Sequence, residues 1–178
     1  TPDLDWNGTT SLTYRARDAD GAWSAPANVA ITVTAVNDPP VAQAKSLVLS
    51  EDTIGTITLS ATDIDSPPPS IFEIVSAPNK GKASLNGSTL TFTPDPDWNG
   101  ATSLTYRARD ADGAWSHPAT VVITVTPVND APVALAKSLV IAEDTIGTIT
   151  LSATDIDSPP PSIFEIVSAP NKGKASLN

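Results

Sequence analysis

Apolar and polar residues alternate with period two along several short stretches of the chain, and no stretch carries an apolar pattern of helical period over a useful length. Over residues 54–62 the inward set is Ile57, Leu59 and Ala61; over 104–109 it is Leu104, Tyr106 and Ala108; over 121–126 it is Val121, Ile123 and Val125. Further strands are predicted at 46–49, 71–75, 83–85 and 89–93. The Asn86-Gly87 pair between the last two is a two-residue hairpin signal. Pro67-Pro68-Pro69 forces an extended connection that cannot lie inside a central strand, because proline lacks the N–H a ladder needs. About seven strands in a short span is the count of a Greek-key β-sandwich.

The pattern repeats. PDLDWNG at Pro2–Gly8 returns as PDPDWNG at Pro94–Gly100, and Trp98 follows Trp6 by 92 residues. RDADG at Arg17 and Arg109, VND at Val36 and Val128, and EDTIG at Glu51 and Glu143 keep the same offset. A period of this size, rich in strand formers and turn residues, predicts small β domains strung along one polypeptide. Residues 40–131 form one complete repeat, 1–39 the C-terminal half of an earlier one, and 132–178 the N-terminal half of a later one. The chain is expected to be a window on a longer protein. Copies differ at few positions, among them Leu4/Pro96, Ala25/His117 and Gln43/Leu135, and 51–86 is identical to 143–178, which points to recent duplication.

Composition narrows the function. Without cysteine there is no disulfide framework and no thiolate metal site, so stability rests on a packed core or on hard cations. A formal net charge of −10 has the wrong sign for phosphate, which argues against nucleic acid as a partner. No apolar run is long enough to span a bilayer. The single histidine, His117, is replaced by Ala25 in the other copy, the serines lack a neighbouring base, and there is no glycine-rich phosphate loop, so catalysis is not expected. A glycosidase pair would need a cleft and a carboxyl of raised pKa, whereas these acids fall in turns.

The placement of the acids carries the strongest signal. In the complete repeat all but Glu73 gather in short turn-like clusters, while the polar faces of the strands carry Thr and Ser. Asp63 and Asp65, Asp95 and Asp97, and Asp110 and Asp112 each have Asp-x-Asp spacing, which on extended backbone turns both carboxylates to one side. Glu51-Asp52 and Asn129-Asp130 add to them. Calcium takes six to eight oxygen ligands of this kind, and a shared divalent ion removes the repulsion among crowded carboxylates. The same residues also serve as turn and cap formers without metal, since Asp bonds its own backbone.

SEDTIGTITLSATDIDS, IVSAPNKGKASLNGSTLTFTPDPDWNGATSLTYRARDADG and ITVTPVNDAPVA together resemble the cadherin-like, immunoglobulin-like tandem repeats of large bacterial surface proteins and adhesins. VNDAP and EDT are the most characteristic parts, and the resemblance covers the whole chain. More distantly, the chain is similar to the animal cadherin repeat, in which calcium is held where successive domains meet. The resemblance implies an all-β fold of tandem Greek-key immunoglobulin/cadherin-like sandwiches and Ca2+ as the cofactor. It assigns Asp3, Asp5, Asn37, Asp38, Asp63, Asp65 and Asp110 to the first junction. To the second it assigns Glu51, Asp52, Asp95, Asp97, Asn129, Asp130, Asp155 and Asp157. Pro39 or Ala131 stands where the cadherin linker has a second Asn, and PDPDWNG replaces its LDRE-type Glu, so fewer ions per junction are expected.

The expected function is that of an extracellular, calcium-rigidified rod or filament of a bacterial surface protein. Its partners are neighbouring repeats of the same polypeptide or other copies in a homopolymeric fibre, with a cell-surface or glycan receptor beyond them. Two readings of the half-repeats stand side by side: an arbitrary cut through a continuous polymer, or ends that pair between molecules. The competing function is a carbohydrate- or ligand-binding accessory module with Trp98 and Trp115 as its contact surface. Both tryptophans adjoin turns and would equally well plug the sandwich ends.

Overall fold

The computed structural model describes residues 1–177. Within the complete repeat the strands run β3 (Val41–Ala42), β4 (Lys45–Ser50), β5 (Gly55–Thr58), β6 (Ala61–Thr62), β7 (Ile71–Ser76), β8 (Lys82–Asn86), β9 (Thr89–Thr93), β10 (Gly100–Arg109) and β11 (Ala119–Thr126). One sheet has the order β4-β11-β10-β7; facing it are β5-β9-β8 and the short β3-β6 pair. The first strand of the repeat switches sheets. β3 pairs antiparallel with β6, whereas β4 pairs parallel with β11. No helix forms among the described residues, and the fold is all-β and immunoglobulin-like.

The alternation read from the sequence becomes the core. Leu104, Tyr106 and Ala108 of β10 and Val121, Ile123 and Val125 of β11 are buried, and they meet Leu90 and Phe92 of β9 and Leu59 across the sandwich. Such burial contributes roughly 1.5–3 kcal/mol for each large apolar side chain. Two local expectations shift. The stretch 54–62 divides into β5 and β6, with Leu59 and Ser60 between them, and Ile57 is only half-buried. The β8–β9 turn holds Gly87 and Ser88 rather than Asn86 and Gly87, because Asn86 pairs with Thr89. Positive φ at Gly87 (58°) and not at Ser88 follows the II′ pattern, in which glycine takes the first turn position.

Tyr106 ties the sheet switch to the core. Its ring is fully buried, and its hydroxyl is directed at the carbonyls of Gln43, at 2.5 Å, and Ser60, at 2.9 Å. These carbonyls flank β3 and β6, so one phenol pins the short pair to β10. Burial pushes the phenol pKa above its usual 10.0. A folded pKa raised above the unfolded one contributes stability that is whole below pH 10.0 and lost as pH rises through the folded value. Tyr106→Phe is therefore expected to cost about 1–3 kcal/mol at neutral pH, because the part-buried Gln43 and Ser60 carbonyls lose the phenol donor and Ser60 keeps only the Gln43 N–H. It should also flatten the alkaline limb of a pH–stability profile. Urea melts at pH 7 and above pH 10 measure both, and an unchanged alkaline limb would refute the assignment.

Outside the complete repeat, β1 (Gly8–Tyr14) and β2 (Ala27–Val33) form a hairpin in the register of β10 and β11, with Gly8 opposite Val33 as Gly100 is opposite Val125. At the other end β12 (Val133–Ala134) and β13 (Ala153–Thr154) repeat the β3–β6 pair.

Candidate metal centre

The acidic turns converge where the complete repeat meets the segment after it. Glu51 lies in the turn that ends β4 and is almost fully buried, an environment a carboxylate tolerates only with partners. Its Oε1 accepts the Val128 N–H at 2.5 Å, and its Oε2 accepts from Asn99 Nδ2 at 3.4 Å. Asp52 and Asp97 both take left-handed backbone, φ 57° and 55°, which Asp adopts more readily than most residues. The Asp97 N–H donates to Asp52 Oδ1 at 3.0 Å, joining the two turns. Asp157 comes from the following half-repeat, and its Oδ2 accepts the Asp130 N–H at 2.5 Å. Asp155 caps this loop, its Oδ1 accepting the N–H groups of Asp157 and Ser158 at 3.0 Å.

Two carboxylate triads result, Glu51–Asp130–Asp157 and Asp52–Asp97–Asp130, each offering ligand oxygens within 4.8 Å of one another. Asp130 belongs to both. Its Oδ2 is buried with no hydrogen-bond partner, the orphaned polar atom that a cation would satisfy. Burial raises the Asp130 pKa, and the charges of Asp157, Asp97, Asp52 and Glu51 raise it further. An all-carboxylate set without histidine or thiolate is hard-donor chemistry, suited to calcium or magnesium rather than to zinc or copper. These residues fit a hard divalent cation.

The first junction repeats the arrangement as far as the sequence supplies it. The Asp38 N–H donates to Asp65 Oδ2 at 2.6 Å, the counterpart of the Asp130–Asp157 contact. Asp63 Oδ1 accepts the N–H groups of Asp65 and Ser66, and its Oδ2 is buried without a partner. Asp3, Asp5, Asp38 and Asp65 line one cavity. Asn37 Nδ2 donates to Asp110 Oδ2 at 2.9 Å, and this contact, ahead of opposing burial, holds the Asp110 carboxyl below the usual carboxylate range. The Ala114, Gly113 and Asp112 backbone groups lower it further. Within 1–178 this junction has no counterpart of Glu51 and Asp52, and the second has no counterpart of Asp110.

The two triads take in some of the candidates read from the sequence and not others. Neither triad includes Asp95 or Asp155; Asp95 supplies its carbonyl to the Trp98 N–H, and Asp155 orders Asp157. Asn129 bonds the neighbouring Asp130 carbonyl rather than a distant carboxylate. The Asn99 side chain and the Val128 N–H, which orient Glu51, carry no mark in the alternation or in the Asp-x-Asp spacing. Asn99 stands in the recurring DWNG motif, the one signal that could have marked it. Of the two tryptophans, Trp98 packs against the core and Trp115 lies under the Arg107 guanidinium, 4.2 Å from its ring centroid. Arg107 also pairs with Glu73 at 2.8 Å.

Residues 37–124 match the family model of the bacterial Ig domain. This repeat belongs to that family. Among solved structures, a complex of the titin M10 and obscurin-like 1 Ig domains (F17R mutant) is similar at 18% identity, covering 53% of this chain and all of that one, with a TM-score of 0.28. No curated protein matches. Bacterial Ig domains are as a rule structural modules without catalytic activity, and they occur typically in extracellular or surface proteins.

Proposed function

We propose that this chain is part of an extracellular, adhesive or structural array of bacterial Ig domains whose junctions are held rigid by Ca2+. The observation that carries the reading is Asp130, a linker carboxylate shared by two triads with one buried oxygen unpartnered. Glu51, Asp52 and Asp97 would supply ligands from one domain, Asp130 from the linker and Asp157 from the next. An ion bound there adds positive charge where five carboxylates repel, so a junction strained by like charge without metal becomes a clamp with it. Prolines at Pro127 and Pro132 stiffen the same linker from the backbone side.

Small-angle scattering and limited proteolysis, each with calcium and with chelator, test this. Chelation is expected to broaden the interdomain distance distribution and to speed cleavage within 126–132. Identical scattering and cleavage in both conditions would remove the ion from the mechanism.

A further inference from the structure

Charge is missing from one surface of the complete domain. Towards the seam, the outward positions of β4, β11 and β10 carry only valine, threonine, serine and alanine, in a chain of 20 acidic and 10 basic residues. The first charges on this face are Arg107 and Arg109 at the far end of β10, where Arg107 is already paired with Glu73. Val48 is 67% exposed and Val122 47%, so the face is partly apolar as well as uncharged, which marks an interaction surface. The face also has relief. Ala77, Ala101 and Ser103 are short, and with Thr120 and Val122 they line a shallow hollow of about 550 Å³. Thr102 Oγ1 donates to Asn79 Oδ1 at 2.7 Å, which fixes the loop at its rim. Val48 stands on the other side of the face, on β4. Strand register puts Val48, Thr124 and Ala101 in one cross-strand row with Thr124 in the middle.

We propose that this face docks on the same face of a second copy, about a two-fold axis that runs along β11 at Thr124. Such an axis reverses the order of the strands and keeps the level along them. Val48 of each copy therefore comes over Ala101, at the hollow of the other. Knob and hollow are exchanged, as an isologous contact requires. A second copy is the fitting occupant on charge as well. Two chains of net charge −10 repel where their carboxylates meet, and this face brings none together. At strand and residue spacings of about 4.8 and 3.4 Å, the uncharged face covers about 300 Å² per copy. A stable interface takes roughly 800 Å² per partner. One domain therefore pairs weakly, and an array that presents several such faces pairs by their combined strength.

Sedimentation equilibrium of the full chain, from micromolar to millimolar concentration, tests the pairing. The weight-average mass should rise from the 18.4 kDa of one chain towards twice that value. Thr124 lies on the axis and meets its own copy, so a charge placed there meets its like. Thr124→Lys and Thr124→Glu should each weaken association by more than about tenfold. An equimolar mixture of the two should restore it. Ser84→Lys, exposed on the opposite sheet, should leave association unchanged. Circular dichroism checks that the variants fold, each altering an exposed side chain. A wild-type chain that stays monomeric throughout overturns the proposal. So do single Thr124 variants that associate like wild type, a mixture no stronger than either variant alone, or a Ser84→Lys chain weakened as much as they are.

Discussion

Asp130→Asn is expected to abolish calcium binding at the second junction, weakening it by more than the 10–100-fold typical of losing an outer-shell partner. The substitution keeps the side-chain shape and the backbone N–H that donates to Asp157, so the loop stays in place while both triads lose their common charge. Asp95→Asn, one motif away and outside both triads, should leave the affinity nearly unchanged. Calorimetric titration separates the two, and equal losses would mean that the seam attracts calcium only as diffuse negative charge. The pH dependence has a definite sign. Because burial and four neighbouring carboxylates raise the folded pKa of Asp130, the metal-free chain derives stability from its protonated form. That contribution is whole below pH 3.8 and lost as pH rises through the raised folded value. The proposed Ca2+ would take the deprotonated form, so its affinity should fall as pH drops through the same window. In Asp130→Asn the acid-side gain should be absent.

The largest stability effect is expected at Gly81. Its φ is 75°, and a Cβ there would lie 2.5 Å from the Thr93 carbonyl oxygen and 2.7 Å from the Phe92 ring. Gly81→Ala therefore combines left-handed strain with overpacking of a fully buried aromatic, about 2–5 kcal/mol together. Gly87→Ala supplies the control: φ is similarly positive, at 58°, but a Cβ would meet nothing within 4 Å. Only the backbone term remains there, about 1–2 kcal/mol. Thermal and urea unfolding of the two variants measure the difference. Equal losses would show that backbone strain alone, without the Phe92 contact, governs both sites.

The carboxylate seam and the core place different demands on the same repeat. Core residues need only the right face and volume, which is why Val121, Ile123 and Val125 lie where alternation puts them. Seam residues must arrive from four places: the turn after β4, the turn before β10, the linker and the next half-repeat. Asp52 and Asp97 reach their positions through left-handed turns, and the counterparts Asp144 and Asp5 take the same backbone, φ 64° and 56°. That recurrence shows the turn conformation is set locally by the EDT and PDxDWNG sequences.

The amino-acid sequence by itself determined the repeat, the strands and their inward faces, the absence of thiolate chemistry and the clustering of carboxylates in turns. Each of these depends on neighbours a few residues apart or on composition alone. Only the tertiary structure decided which carboxylates meet. Asp95 and Asp97 share one motif, yet a left-handed residue sends Asp97 into a triad and leaves Asp95 out. Glu51 and Asp130 are far apart in sequence, and the parallel pairing of β4 with β11 brings their strand ends together. The same pairing explains why Tyr106 serves as the pin between sheets: which carbonyls its hydroxyl finds depends on the switch from β3 to β4, a long-range choice that period-two alternation does not encode.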